Sequence, residues 1–488
     1  MKGFWHFMEF RNYFARVFYL KIKSTFISTI QLCIMKTINY IFLFAILFAF
    51  TTCSPKTNAI NPKIPVKIWD KTLGGDSNDE EQDIIATSDG GYIIVGTSSS
   101  GIFEDKSEIS KGGFDYWVVK INSKGQKVWD KTFGGKYYDE ALSVVASTDG
   151  GFLIAGTSNS DISGDKTEAS KGGKEYDFWI VKINNNGQKI WDKTFGGDGY
   201  DFAKSIISTS DGGFVIAGTS TSNISGDKSQ GNNGREDCWI IKINSSGQKI
   251  WDKTFGGKDA EHINQIITTL DGGFMVSGYV SSANAVMVGN PFGAEKFWLL
   301  RINGSGDKVW DKLYYGGSGV GESSIVSTND GGFIFVGSSD YGIWGDKTEA
   351  SKGGSDYWVV KINGMGEKDW DKTFGGKDED SANAIISTSN GEFLIGGIST
   401  SQSSGDKTES SRGFSDYWII KIDNQGNKLW DKTLGGNGKE NFHISLVSNS
   451  DNSFIIAGTS FSDMSGDKSE PCINCGYSDY WLVKLGFQ

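Results

Sequence analysis

Lys189-Ile190-Trp191-Asp192-Lys193-Thr194-Phe195-Gly196-Gly197 is one of seven closely similar stretches in this chain. Their Trp-Asp dipeptides begin at Trp69, Trp129, Trp191, Trp251, Trp310, Trp370 and Trp430, each 59 to 62 residues after the last. A fixed period of that length means one structural unit copied seven times. Working back from Trp191, the unit holds Ala141 to Ser147, Phe152 to Ser158 and Phe178 to Ile183. Runs rich in β-branched and aromatic residues, bounded by Gly, Asn and Asp, predict four antiparallel strands joined by hairpins. The 66 Gly against five Pro suit such a chain of strands and tight turns. Seven such units predict an all-β fold, a seven-bladed β-propeller of four-stranded antiparallel blades over residues 66–488.

The ends of the repeat predict how the ring closes. The first copy begins with its fourth strand, Val66 to Leu73, and the last stops after its third, Tyr480 to Leu485. The N-terminal strand is therefore expected to complete the seventh blade and remove an exposed sheet edge. Asp89-Gly90 and its equivalents at Asp149, Asp211, Asp271, Asp330 and Asn390 are expected to form two-residue hairpins needing positive φ between strands one and two. The seventh copy has Asp451-Asn452-Ser453 instead, and a looser turn is expected there.

The unit as a whole, with its Asp-Gly-Gly-Phe turn, Asp-Tyr-Trp strand and Trp-Asp-Lys-Thr strand, resembles the repeats of β-propeller lipoproteins of the bacterial envelope. The Asn-x-x-Gly-x-x-x-Trp spacing of Asn122, Gly125 and Trp129 more weakly resembles the tryptophan-docking repeat of quinoprotein-type propellers. The first resemblance implies a fold and a compartment. The second implies a Trp that wedges between neighbouring blades.

The N-terminal leader departs from the repeat. Its first 52 residues carry six Lys or Arg against Glu9, so the remainder of the chain carries −16 of a total of −11. So acidic a body makes nucleic acid an unfavourable partner. Residues 1–34 read as a mis-assigned start or extension. Residues 35–53 combine Lys36, the apolar run Ile41 to Phe50 and Cys53. They resemble a bacterial lipoprotein signal with Cys53 as the lipidation site, although Phe50-Thr51-Thr52 departs from the usual lipobox. Residues 54–65, with three Pro, would be the tether. The expected location is the cell envelope, as an outer-membrane lipoprotein held to the membrane by its lipid alone. Of the other cysteines, Cys238 reads as a buried small residue, and Cys472-x-x-Cys475 as a disulfide in a loop.

Propeller geometry puts the connections from strand two to three, and from blade to blade, on one long-loop face, where binding concentrates. Asp79, Asp139, Asp201, Glu261, Glu322, Asp380 and Glu440 precede or open the first strands and form a candidate binding ring at the channel mouth. The alternative is that each accepts backbone N–H bonds or pairs with the Lys-rich neighbouring strand. The loops Asp165 to Glu168, Asp346 to Glu349, Asp406 to Glu409 and Asp467 to Glu470 raise calcium as a cofactor, against a simple Asp-mediated turn. Asn290, Phe292, Tyr341 and Trp344 mark unusual loops in blades four and five and are candidate partner contacts.

No catalytic residue is assigned. The body of the chain has only His262 and His443, and no nucleophile elbow, paired metal-ligand set or phosphate loop. The expectation is a monomeric propeller that binds a protein or a glycan. A scaffold subunit of an outer-membrane assembly or transport complex, and a glycan hydrolase or lyase, are the alternatives.

Overall fold

The computed structural model describes residues 63–281, 295–316, 322–340 and 342–487. Every regular element among them is a strand, and the strands form seven antiparallel sheets of four. Each blade runs from an inner strand at the channel to an outer strand carrying the Trp-Asp dipeptide; blade two, for example, consists of Asp139–Ala146, Phe152–Ser158, Asp177–Ile183 and Lys189–Phe195. Val66–Leu73 pairs with Asp479–Gly486, from Val66 opposite Gly486 to Leu73 opposite Tyr480, and so completes blade seven as the ends of the repeat predict.

The apolar core lies between blades. Tyr116 and Val118 of blade one pack with Phe152, Ile154, Trp179 and Val181 of blade two in one buried cluster. The Tyr116 ring packs at a tilt against Trp179, centroids 4.7 Å apart, and its hydroxyl donates to the Trp179 carbonyl at 2.9 Å. The same tyrosine-on-tryptophan contact joins Tyr357 to Trp418 and, across the closure, Tyr480 to Trp117.

Both halves of the Trp-Asp dipeptide have structural work. The Asp192 carboxylate accepts the indole N–H of the buried Trp179 at 3.1 Å and the Thr167 backbone N–H at 2.9 Å. Trp129 lies against Gly187, the turn glycine of the next blade, where a Cβ would sit 3.0 Å from the indole. Gly187 also has φ of +77°, so the position excludes side chains on two counts.

Two turn expectations are corrected. The connection between strands one and two is five residues long, with the Gly90 N–H bonded to the Thr87 carbonyl and only the glycine at positive φ. The seventh copy is not looser, because Asn452 adopts φ of +61° and makes the equivalent bond to Asn449. Asparagine tolerates the left-handed region well enough to replace the glycine.

Every inner strand with a continuous ladder carries a β-bulge, as between Glu81 and Asp83 or Ala141 and Ser143. The residue after the bulge reaches the next blade: Asp83 accepts the Val144 N–H at 2.8 Å, Ser205 the Ile266 N–H at 3.2 Å, and Gln265 the Ile325 N–H at 2.8 Å. Donors on these inner sheet edges are thus satisfied around the channel, which leaves little for another strand to pair with.

Candidate binding surface on the long-loop face

Six of the seven acids expected at the channel mouth point between blades instead. Asp79, Asp139, Asp201, Glu261, Asp380 and Glu440 are all buried. Asp79 accepts the Gly75 N–H at 2.7 Å and the Ser100 hydroxyl at 3.0 Å, and Asp139, Asp201 and Asp380 repeat this with Gly135 and Ser160, Gly197 and Ser222, and Gly376 and Ser401. Glu440 accepts from Ser460 and Ser462. Burial raises Asp79 to about 6 and Glu261 and Glu440 to about 7, against the lowering effect of these donors. These carboxyls clamp the blade-to-blade connections, the second of the two roles open to them. The Gly-Gly pair follows from the same clamp, since a Cβ on Gly134 would lie 1.9 Å from Asp115 and one on Gly135 would lie 2.5 Å from Ser160.

The acidic loops hold a cation of their own. Lys106, Lys166, Lys228, Lys347, Lys407 and Lys468 are each 2% exposed or less. The Lys166 ammonium donates to the Thr194 hydroxyl at 2.6 Å and faces Asp177, Asp139 and Asp192, one from each of three strands of its blade. Burial lowers it to about 8 against the pull of those carboxylates. The loop acids turn elsewhere: Asp165 accepts the Gly134 N–H at 3.2 Å, and Glu168 accepts the Thr194 N–H at 2.9 Å. They do not converge on a common point, so the loop does not fit calcium, and an ammonium stands where the carboxylates do converge. Blade four has Lys296 on the strand position that holds Asp in the other blades, and in blade five Asp340 contributes to the carboxylates around Lys347.

The channel is lined by residues that alternate with the clamps. A cavity of about 200 Å³ is bordered by Gln82, Leu142, Lys204, Asn264, Asn383 and His443 among others. Glu322, the seventh candidate acid, is the one that reaches it. Its carboxylate lies 3.5 Å from His443 Nδ1 and accepts from Asn383 at 3.2 Å, while His443 Nε2 bonds the Gln82 carbonyl at 2.5 Å. Burial disfavours the charge on each partner, but their mutual contact wins, raising His443 to about 9 and lowering Glu322 to about 2. The pair joins blades five and seven across the channel. Glu81 is buried beside this pair, facing His443 and Ser445, and burial raises it to about 8.

Among the candidate partner loops, Trp344 is half-buried and meets Tyr315 edge-on at 6.2 Å. Asn290, Phe292 and Tyr341 lie outside the described residues, as does Cys53. Cys472 and Cys475 are bonded to each other with Cα atoms 5.2 Å apart, and an Asp463 carboxylate oxygen lies within 4.8 Å of both sulfurs. Cys238 is free and buried. His262 stacks on Tyr279 at 4.6 Å and faces Glu236 at 3.2 Å.

An aromatic arc over blades one to three does not appear among the expected residues. Phe114 meets Tyr138 at 6.0 Å, Tyr176 meets Phe202 at 5.4 Å, and Tyr200 lies parallel to Phe202 at 6.0 Å. The sequence signal was available: Tyr138 and Tyr200 immediately precede the clamp acids, where other copies have Asn78, Ala260, Glu379 and Lys439.

No protein-family model matches the chain. The chain is 22% identical over 345 residues to the regulatory protein FlaEY of Caulobacter vibrioides, covering 64% of this chain and 35% of that protein. Among solved structures it is similar to a chain in the crystal structure of BBS1N in complex with ARL6DN, at 9% identity and a TM-score of 0.45 over 87% of this chain and 97% of that one. It is likewise similar to a protein of unknown function from Dyadobacter fermentans, at 8% identity and a TM-score of 0.43 over 87% and 99% of the two chains. Likenesses this distant bring no function with them, and the chain's own strand order is what makes it a seven-bladed propeller.

Proposed function

We propose that the protein is a lipid-anchored propeller of the cell envelope that binds a protein or glycan partner through its long-loop face and is not an enzyme. One observation carries the binding reading. The buried clamp residues repeat from blade to blade, whereas the residues one position later, which face the channel, are Glu80, Glu140, Phe202, His262, Ser381 and Asn441. A surface that abandons the repeat while its supports keep it is free to serve a ligand. Against catalysis, His443 is held in an ion pair with Glu322, and His262 stacks on Tyr279 beside Glu236. The name of the Caulobacter relative, a regulatory protein, agrees with a role in binding. The basic and apolar leader before Cys53 supports the anchor.

The test is affinity capture from detergent-solubilised membranes with the full chain as bait. A stoichiometric protein partner, or retention on a polysaccharide resin without turnover, is the expected outcome. Turnover of a glycan that disappears in Glu261→Gln or His262→Ala would overturn the reading. Metabolic labelling with a fatty-acid probe should mark the chain and fail on Cys53→Ala.

A further inference from the structure

We propose that the aromatic arc at the channel mouth is a docking site for arginine or lysine side chains of a protein partner. The site rests on the long-loop-face reading above and narrows its ligand. Tyr138 and Tyr200 are 46% and 44% exposed, at positions the fold does not require to be aromatic. Their rings, with Tyr176 and Phe202, present ring faces and edges along the rim of blades two and three.

Carboxylates stand among the rings. Glu140 adjoins the Asp139 clamp on the channel side, and Tyr176 faces it. Glu175 faces the Tyr200 hydroxyl from the neighbouring loop. An exposed ring beside a carboxylate offers a guanidinium both a face to stack on and a bidentate acceptor. The molecule already uses cation-on-tyrosine contacts, with Lys136 over Tyr137 at 5.7 Å and Lys296 over Tyr315 at 5.6 Å. Charge favours the same ligand. The chain outside its leader carries −16, which attracts a basic segment and repels an acidic one. A neutral glycan would use the rings and gain no attraction from the carboxylates or from the acidic body. Lys204 lines the channel cavity and interacts with both Glu322 and Glu140.

The experiment is calorimetric titration of the full chain in detergent with hexa-arginine, hexaglutamate and maltohexaose. Hexa-arginine should bind, and Tyr200→Ala and Glu140→Gln should each weaken it at least about tenfold, with further loss in high salt. Tyr200→Phe should keep most of the affinity, and Asp161→Asn, which removes an acid elsewhere on the same face, should change it little. Equal affinity in all variants would mean diffuse attraction to an acidic body and would sink the site. Binding of maltohexaose that Tyr200→Ala abolishes would also overturn it, as a sugar platform. A partner captured from membranes that survives Tyr200→Ala but is lost with Phe414→Ala, a loop residue 80% exposed on blade six, would retain long-loop-face binding and reject this site.

Discussion

At the scale of single residues, the buried lysine of the Asp-Lys loop sets the charge balance of six of the seven blades. Lys166 brings one ammonium to carboxylates from three strands, so removing it strands buried acids instead of merely losing a contact. Lys166→Met is expected to cost about 3 kcal/mol in urea unfolding, because breaking one side of a buried ion cluster leaves the other uncompensated. Adding Asp177→Asn should restore part of that loss. A neutral or stabilising Lys166→Met would mean that the carboxyls are protonated and need no cation. The sequence did not disclose this role. Lysine is ordinarily a surface residue, and only the convergence of three strands removes water from around it.

At the scale of elements, the inner strands show how far a pattern can be read. Alternation along a strand predicts which residues share a face, but a bulge reverses the assignment midway. Asp79 and Glu81 are buried, Glu80 and Gln82 face the channel, and after the bulge Asp83 reaches blade two. The six buried acids stand before the bulge, and the residues one position later are the ones that face the channel. The closing strand was placed correctly, because the ends of the repeat fix it without knowledge of side-chain direction. A chain beginning at Gly74 would lack Val66–Leu73 and expose the edge of Asp479–Gly486. It is expected to melt about 10 °C lower and to form oligomers through that edge in size-exclusion chromatography. A monomer with unchanged melting temperature would show that closure contributes nothing.

At the scale of the whole molecule, the junctions add their titrations. Burial raises Asp79, Asp177, Asp356 and Asp479 to about 6 and Asp115, Glu261 and Glu440 to about 7. A carboxyl whose folded value is raised favours the fold most below its unfolded value, and that favour is lost as pH rises through the folded value. Asp89, Asp149, Asp211 and Asp330 are held near 2, chiefly by lysine partners, and oppose acidification only below their unfolded range. The melting temperature is therefore expected to be highest between about pH 4 and 5 and to fall toward pH 7.5 in a calorimetric scan. A maximum at neutral pH would mean that the junction carboxyls stay ionised in the fold. By itself the sequence determined the blade count, the strand order within each blade and the closure, because each follows from period, turn chemistry and chain ends, while the docking of Trp129 is what the resemblance to tryptophan-docking repeats implies. Only the tertiary structure decided that six acids are clamps, that an ammonium occupies the centre of each loop cluster, and that Glu322 meets His443 across the channel. Those outcomes depend on which side chains from different blades converge on one point, and on how much water remains there once they do.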